Sequence, residues 1–285
     1  MPIDRAMVDG LSLTDQPVHQ TAAASILYAL GTGFGRDPLD GRERRFVHER
    51  DLVALPTLAA QLTFAGHVLL ERIGADMRLV VHAGQGVALH RPLPPEGHLL
   101  FDTIVTGIID KGAGRGALVL LETHLRERTG GGLLAVATST AFARGDGGCG
   151  SAGRDRAPPL FPAPPARPPD HVDIFHTRPD QALLFRLSGD MNPLHADPEA
   201  ARAAGFDRPI LHGLCTYGIC GRAVLASVLD FDATRLRALH VRFAHPVFPG
   251  ETIMTEMWVE EGRVLLRAHV RERAVAVISG GYALI

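Results

Sequence analysis

Residues 56–74 read PTLAAQLTFAGHVLLERIG, and residues 209–229 read PILHGLCTYGICGRAVLASVL. Each run is apolar around most of a helical surface, which is typical of a helix enclosed by other structure. Each run also opens with a proline, Pro56 or Pro209, a residue favoured in a first helical turn because its missing N–H is not needed there. The two runs therefore predict two long buried helices, one in each half of the chain.

Four strand-like segments follow each predicted helix. They combine β-branched residues, partial alternation of apolar and polar side chains and glycine-containing turns, which together indicate an antiparallel meander in each half. A buried helix followed by antiparallel strands belongs to the α+β class, and one helix wrapped by a curled sheet is the hot-dog arrangement. The tandem copy therefore predicts a double hot dog. The segments span residues 78–94, 98–110, 116–128 and 132–144 in the first half, and 238–250, 251–262, 263–273 and 274–284 in the second.

The clearest boundary in the chain is the segment GDGGCGSAGRDRAPPLFPAPPARPP, residues 145–169. Glycine at its start and proline at its end disfavour both helix and strand, so it is predicted to be a flexible-to-extended linker. We therefore expect an N-terminal hot-dog repeat over residues 1–144 and a C-terminal hot-dog repeat over residues 170–285.

The composition limits the compartment and the partners. A net charge of −2 provides no general attraction for nucleic acid or for an anionic membrane surface. Three cysteines, Cys149, Cys215 and Cys220, are too few for a disulfide framework, which fits a reducing compartment. The N-terminus lacks the pattern of a secretory signal, and no apolar stretch is long enough to span a bilayer. We therefore expect a cytoplasmic protein with neither nucleic acid nor membrane among its partners.

Candidate chemistry is concentrated in residues 183–218, LLFRLSGDMNPLHADPEAARAAGFDRPILHGLCTYG. The turn SGDMNPLH places a carboxylate, an amide and an imidazole within a few residues, at Asp190, Asn192 and His195. A compact loop can bring the carboxylate and the imidazole over one point, where they could share a water as hydrogen-bond acceptor and proton donor. The spacing leaves an alternative open, in which Asp190 and Asn192 only satisfy backbone N–H groups of an ordered turn.

Two predicted helix starts follow this turn. Asp197, Pro198 and Glu199 supply an N-cap acceptor, a fixed φ and an acidic first turn, and Gly205 closes the short helix. Gly213 lies at the start of the second buried helix, where unpaired N–H groups favour negative charge. A glycine there allows a thioester oxygen to approach the backbone closely. The alternative role of Gly213 is to permit tight helix packing.

The segment LFRLSGDMNPLHADPEAARAAGFDRPILHGLCTYG, residues 184–218, resembles the signature of the MaoC-like enoyl-CoA hydratases that form (3R)-hydroxyacyl products, often called hydratase 2. It is similar to the hydratase part of peroxisomal multifunctional enzyme type 2. The likeness extends to LYALGTGFGRDPLD at 27–40 and to the run after FVHERDLVALPT at 46–57, and it covers nearly the whole chain. The resemblance implies reversible hydration of a trans-2-enoyl-CoA, with the CoA thioester as substrate, no further cofactor and a homodimer.

The same resemblance implies a role for individual residues. Asp190 and His195 would activate water, and Asn192 would help to orient that pair. The N–H of Gly213 would contribute to an oxyanion hole. The resemblance does not decide which of Asp190 and His195 takes the proton of the water.

Three further residues are expected to contact substrate, namely Arg186, His212 and Leu214. Arg186 is expected to act as an ion-pair or loop-positioning residue rather than as a chemical participant. One departure from the family pattern is VHAGQ at residues 81–85, where His-Gly-Glu-Gln is expected. If that glutamate orders the site in relatives, this chain lacks its contribution.

The first half lacks the candidate set. Residues 26–38, ILYALGTGFGRDP, align with the turn around Asp190 but contain no Asp-Asn-His set, and residues 56–60 contain no His-Gly pair. We therefore expect one active site per chain, in the second half. The resemblance implies that the first half accommodates the acyl chain, through a loosened helix.

No metal is expected. Several histidines lie on or beside predicted strands or after the linker, without a carboxylate or cysteine partner at ligand spacing. The glycines of GTGFG at residues 31–35 lack both the Lys-Ser/Thr of a P-loop and the strand-loop-helix context of a dinucleotide site, so neither is predicted. The histidines in question are His82, His90, His98, His171 and His176.

Other functions compete with the hydratase prediction. Hydration and dehydration share one transition state, so the same residues would serve a 3-hydroxyacyl-thioester dehydratase in fatty-acid or polyketide synthesis. A non-catalytic acyl-CoA-binding partner subunit is a second alternative, but such a module does not need the turn that carries Asp190 and His195. A thioesterase is possible on this fold, although the SGDMNPLH segment does not resemble that branch.

Overall fold

The computed structural model describes residues 3–8, 10–155 and 157–285, and its strands form one eleven-stranded antiparallel sheet. The strands are β1 (Ser12–Gln20), β2 (Val80–Leu89), β3 (Gly97–Asp110), β4 (Ala117–Glu127), β5 (Leu133–Ala143), β6 (Ala152–Gly153), β7 (His171–His176), β8 (Ala238–Phe243), β9 (Thr252–Glu260), β10 (Arg263–Val270) and β11 (Val275–Leu284). All eight predicted segments contain a strand, which confirms that prediction. β1 and β7, which were not predicted, are the two edge strands.

The pairing order is β1-β3-β4-β5-β2-β8-β11-β10-β9-β7, with the two-residue β6 beside β3. β1 to β5 and β7 to β11 have the same connection pattern, read in opposite directions from the centre of the sheet. The two half-sheets meet where β2 pairs with β8, over residues 84–88 and 238–242. This arrangement confirms the tandem double hot dog.

The predicted meander is correct for three strands of each half and wrong for the fourth. β3, β4 and β5 pair in chain order, as do β9, β10 and β11, but β2 pairs with β5 and β8 pairs with β11. The connections out of β2 and β8 are HRPLPPE at residues 90–96 and AHPVFPGE at residues 244–251. Their prolines lack N–H donors and do not fit a tight hairpin. Each connection therefore crosses to the other side of the half-sheet.

The longest helix is buried inside the second half-sheet, as predicted, but it begins later than predicted. It spans Gly213–Ser227, and residues 209–212 enter it in an extended conformation. The Leu211 N–H donates to the Val247 carbonyl over 2.7 Å, which ties this entry to the strand connection and keeps Pro209 outside the helix. The helices are α1 (Ala22–Gly31), α2 (Gly41–Arg44), α3 (Leu58–Leu62), α4 (Gly66–Arg72), α5 (Gln181–Phe185), α6 (Pro198–Ala203) and α7 (Gly213–Ser227).

The prediction of one long helix in the first half is wrong. Residues 56–74 form α3 and α4, which are separated by residues 63–65. The Thr63 hydroxyl donates to the Ala59 carbonyl over 2.9 Å, and the Ala65 N–H turns back to the Thr63 carbonyl, so the helical ladder ends there. Within the described ranges, no helix has the combined length and apolar character that a bilayer crossing needs.

The end of α1 joins the two halves. The Gln181 amide of α5 donates to the Gly31 carbonyl over 2.6 Å, and the Cys215 thiol of α7 contacts the same oxygen. At Gly33, which has a φ of 93°, a side chain would overlap the ring of Phe175 on β7. The close approach of the halves therefore explains Gly31 and Gly33, two of the glycines that could suggest a phosphate loop.

The segment predicted as a linker contains β6 as its only regular element within the described residues. The Asp110 carboxylate accepts the N–H groups of Gly148 and Gly150, and the Arg167 carbonyl accepts the indole N–H of Trp258 over 2.8 Å. Both ends of residues 145–169 are thus attached to the sheet. The proposed limits of the two repeats stay a prediction.

A buried ion pair also connects the halves. Arg222 of α7 donates to Glu43 of α2 over 2.8 Å, and the two side chains are only 14% and 3% exposed. Asp173 of β7 lies 3.6 Å from the same guanidinium. Burial raises the pKa of Asp173, and the charges of Arg222 and Arg36 oppose that shift.

Replacing Arg222 with methionine would leave the Glu43 carboxylate buried without its partner. We expect a loss of about 3–5 kcal/mol in the free energy of unfolding, because an unpaired buried charge is costly. Urea unfolding monitored by circular dichroism would measure it. Arg42→Met, which removes an exposed ion pair with Asp40, should leave the unfolding midpoint at its wild-type value. Equal losses for the two variants would contradict the assignment.

Candidate active site

The turn that carries Asp190 is an ordered loop between α5 and α6. The Asn192 side-chain oxygen accepts the Leu194 N–H over 3.0 Å and caps the 3-10 turn Pro193–His195. One oxygen of Asp190 accepts the Asn192 N–H over 3.2 Å. Asp190 and Asn192 therefore do satisfy backbone N–H groups of the turn, as the alternative interpretation of the sequence expected. The second Asp190 oxygen accepts no hydrogen bond from the described part of the chain, so it is available to a water or a substrate.

His195 has one nitrogen anchored and the other open. Its Nδ1 lies 2.8 Å from the Ile210 carbonyl oxygen. Because a carbonyl can only accept, Nδ1 carries the proton and Nε2 presents a lone pair. Burial lowers the pKa of His195, although the charge of Asp190 and the hydrogen bond to Ile210 oppose the shift. The imidazole is thus a neutral base, and both it and Asp190 are only 8% exposed.

His212 is fully buried behind the pair. Its ring stacks on His195, with centroids 3.7 Å apart and planes inclined by 28°. Its Nε2 donates to the backbone carbonyl of Asp190 over 3.1 Å. Burial lowers the pKa of His212 to about 2, and the neighbouring His195 adds to the shift. The imidazole therefore stays neutral.

Asp190, His195 and His212 offer ligand atoms within 4.8 Å of one another, a spacing also found in metal sites. Two imidazoles that bind one ion point their nitrogens at a common position. In this structure one nitrogen of each ring is hydrogen-bonded to a backbone carbonyl, His195 Nδ1 to that of Ile210 and His212 Nε2 to that of Asp190. The expectation that no metal is required stays a prediction.

Gly213 opens α7 directly beside this cluster. Its N–H has no acceptor in the described part of the chain, as expected in the first turn of a helix. A Cβ at this position would lie 3.4 Å from His82 Nδ1 and 3.5 Å from Phe243 Cζ. His82 is on β2, so the first half of the chain lines the start of the second half's helix. The sequence signal for this segment was the departure from the family pattern at residues 81–85, which gave no role to His82 itself.

Seven buried side-chain nitrogen or oxygen atoms in the described residues have no hydrogen-bond partner, and five of them surround this cluster. Three are on the segment of residues 183–218, and two come from the first half. The Gln61 amide nitrogen lies 3.4 Å from the position of a Cβ on Gly189. Because unpaired buried polar atoms are costly, these atoms are candidates to pair with water or substrate. The five atoms are Gln61 Oε1, His82 Nε2, Arg186 Nε, Ser188 Oγ and His212 Nδ1.

The other expected substrate contacts occupy different surroundings. Arg186 donates to the Met191 carbonyl over 3.5 Å within its own loop and forms no ion pair with the described residues. Leu214 is buried in the main hydrophobic core, and Asn192 is exposed. Substrate contacts by Arg186, His212 and Leu214 stay predictions.

A double hot dog with an Asp–His pair at the unpaired N-terminus of its buried helix has the arrangement of a hot-dog hydro-lyase, an enzyme that adds or removes water. Comparison with known proteins identifies the family. Residues 161–280 match the MaoC like domain, and residues 19–145 match the MFE-2 hydratase 2 N-terminal domain. The chain belongs to the MaoC-like hydratase 2 family, and the resemblance found in the sequence is confirmed.

Three relatives illustrate the match. The chain is 40% identical to peroxisomal enoyl-CoA hydratase 2 of Arabidopsis thaliana, over 89% of this chain and 86% of that protein. It is 41% identical to 3-hydroxyacyl-thioester dehydratase Y of Mycobacterium tuberculosis, over 86% and 84%. The full-length peroxisomal multifunctional enzyme type 2 of Drosophila melanogaster superposes with a TM-score of 0.82 at 35% identity, over 96% of this chain and 48% of that one.

The buried histidines should make the protein sensitive to mild acid. Burial lowers the pKa of His195 and His240, of His82 to about 4 and of His212 to about 2. Histidines bind protons below about pH 6.5 in the unfolded chain, whereas the folded His82 and His212 bind them only at lower pH, so stability falls from pH 6.5 towards pH 4. Each histidine adds up to about 1.4 kcal/mol per pH unit. Urea unfolding at pH 7.5, 6 and 5 would measure the slope.

His212→Gln should reduce that slope by the contribution of one proton. His171→Gln, at an exposed position, should leave the slope unchanged. An unchanged slope in His212→Gln would contradict the assignment of His212 as a neutral buried group.

Proposed function

We propose that the protein catalyses the reversible hydration of trans-2-enoyl-CoA to (3R)-3-hydroxyacyl-CoA. The observation that carries the proposal is that His212 contacts or adjoins the residues that supply three groups: the free carboxylate oxygen of Asp190, the open Nε2 of His195 and the unpaired N–H of Gly213. The β-carbon of an enoyl thioester is electrophilic, so hydration needs an activated water there and stabilisation of the enolate oxygen. The three groups meet these two requirements.

In the proposed mechanism Asp190 and His195 hold one water above the β-carbon. His195 Nε2 accepts one proton as the water oxygen bonds to that carbon, and Asp190 accepts a hydrogen bond from the remaining O–H. The electron pair of the double bond moves onto the thioester oxygen, where the Gly213 N–H and the positive end of α7 stabilise it. The imidazolium then returns its proton to the α-carbon, so one water is added in total.

The first half would shape the acyl end of the site rather than supply a second one. Its helix is interrupted at residues 63–65, which include the exposed Phe64. The ring of Phe64 faces that of His82, with centroids 6.5 Å apart, and His82 borders Gly213. An acyl chain that leaves the catalytic pair along this side would pass the interruption. One active site per chain therefore remains our proposal.

The reverse reaction is a second candidate, supported by the relative named 3-hydroxyacyl-thioester dehydratase Y. The same groups would run it, so the thioester carrier is the discriminating property. Comparing CoA and acyl-carrier-protein thioesters of one acyl chain would separate the two. A cytoplasmic location and a homodimer stay predictions, and a relative is named as peroxisomal.

Asp190→Asn and His195→Gln should each lower the rate of crotonyl-CoA and medium-chain enoyl-CoA hydration. The expected loss is about 10²–10⁴-fold, the contribution of a positioned acid or base. The assay follows the absorbance of the conjugated thioester, and chiral chromatography should identify the (3R) product. Asp197→Asn, in which an amide replaces the carboxylate that caps α6, should stay active. A folded Asp190→Asn enzyme with most of its activity would refute the proposal.

Gly213→Pro removes the N–H that is proposed to bind the oxyanion. Proline fits the first position of a helix, and the extended His212, with a ψ of 137°, is compatible with a following proline. Gly213→Ala adds the same Cβ but keeps the N–H. We expect the proline variant to be about 10²–10³-fold slower than the alanine variant in kcat. Equal rates would exclude this N–H from the reaction.

A further inference from the structure

One side chain touches every part of the candidate catalytic machinery. His212 donates through Nε2 to the backbone carbonyl of Asp190, stacks on the ring of His195 and directly precedes Gly213 in the chain. Its ring also contacts that of Phe185 of α5, with centroids 5.0 Å apart and planes inclined by 52°. His212 has no exposed surface. It is therefore held by two ring contacts and one hydrogen bond.

We propose that His212 is a positioning residue, which sets the distance between the carboxylate of Asp190 and the imidazole of His195. The proposal rests on the proposed function, because it assigns His212 to the same reaction. Asp190 is on a loop and is tied to the scaffold at its carbonyl by His212. His195 is held at its Nδ1 by Ile210 and on one ring face by His212. Loss of His212 would free both groups at once.

A histidine meets these requirements better than other residues. The contact to His195 needs a flat ring, and the contact to the Asp190 carbonyl needs an N–H at the far edge of that ring. Burial keeps the ring uncharged, so it does not repel the imidazolium that His195 becomes during turnover. Glutamine keeps a donor of similar reach without the ring, whereas phenylalanine keeps a ring without the donor. These two variants separate the contributions.

The sequence suggested instead that His212 contacts substrate, and kinetics distinguish these roles. A positioning residue affects kcat and leaves KM near the wild-type value, whereas a substrate contact raises KM. His212→Leu and His212→Phe should lower kcat by about 10²-fold, the cost of misplacing catalytic groups by roughly 1 Å. His212→Gln should recover most of that loss, because its amide can reach the Asp190 carbonyl.

The matched control is His240→Phe. His240 is also a stacked histidine and is partly buried, with its ring centroid 4.9 Å from that of Tyr282. It alternates with the core residues Leu239 and Val241, so it points to the face of β8 away from α7. This control should keep the wild-type kcat, provided that circular dichroism shows all variants folded.

A second readout does not depend on activity. In ¹⁵N-histidine NMR spectra of the wild-type protein, His212 should be the Nε2–H tautomer from pH 5 to 9, and His195 should be the Nδ1–H tautomer at pH 7. In His212→Gln, the His195 signal should shift, because the stacked ring is lost. A wild-type protein without hydratase activity would refute the proposed function, while these tautomers would still test the contacts.

Wild-type kcat in His212→Leu, a loss confined to KM, or an Nδ1–H tautomer of His212 would each overturn the proposal. The expected order of kcat is wild type, then glutamine, then phenylalanine, with leucine slowest because it keeps neither the donor nor the ring. An inactive glutamine variant that is as slow as leucine would also overturn it, because the donor to Asp190 would then have no effect.

Discussion

The pairing of β2 with β8 is the contact on which the rest of the molecule depends. Over residues 84–88 and 238–242 it joins two curled half-sheets into one surface, so neither half exposes a strand edge at the centre. At Gly86 a side chain would overlap the ring of His240, so the closest approach of the halves needs a glycine there. The same pairing brings His82 to the start of α7.

Burial gives the site its chemistry and also its cost. Asp190 and His195 are almost closed off from solvent, and a neutral histidine lies behind them. The low exposure lowers the histidine pKa values, so a lone pair is available at neutral pH. It also leaves several polar atoms unpaired, which a fully apolar core would avoid. Contacts elsewhere in the fold, such as the ion pair of Arg222 with Glu43, offset the cost of these unpaired atoms.

Much of this architecture could be predicted from local patterns. The apolar helical runs and the eight strand segments gave the double hot dog, because each pattern lies within one short stretch of chain. Strand order could not be derived, since the pairing of β2 with β5 depends on how a proline-rich connection crosses the sheet. The edge strand β1 contains Pro17, which argues against a central strand and is tolerated at an edge. The break between α3 and α4 involves the Thr63 hydroxyl, which donates to the Ala59 carbonyl and which the apolar pattern does not encode.

The two halves are under unequal constraint. Residues 26–38 of the first half lack the catalytic pattern, and substitutions there are limited by packing and by backbone conformation, as at Gly33. His82 is also in the first half, yet it borders Gly213 across the seam, and changes at this position reach the chemistry of the other half. With one active site per chain, as proposed, the first repeat is therefore not free to diverge throughout. Whether a position tolerates substitution therefore depends on its distance from the β2–β8 pairing and not on its place in the sequence.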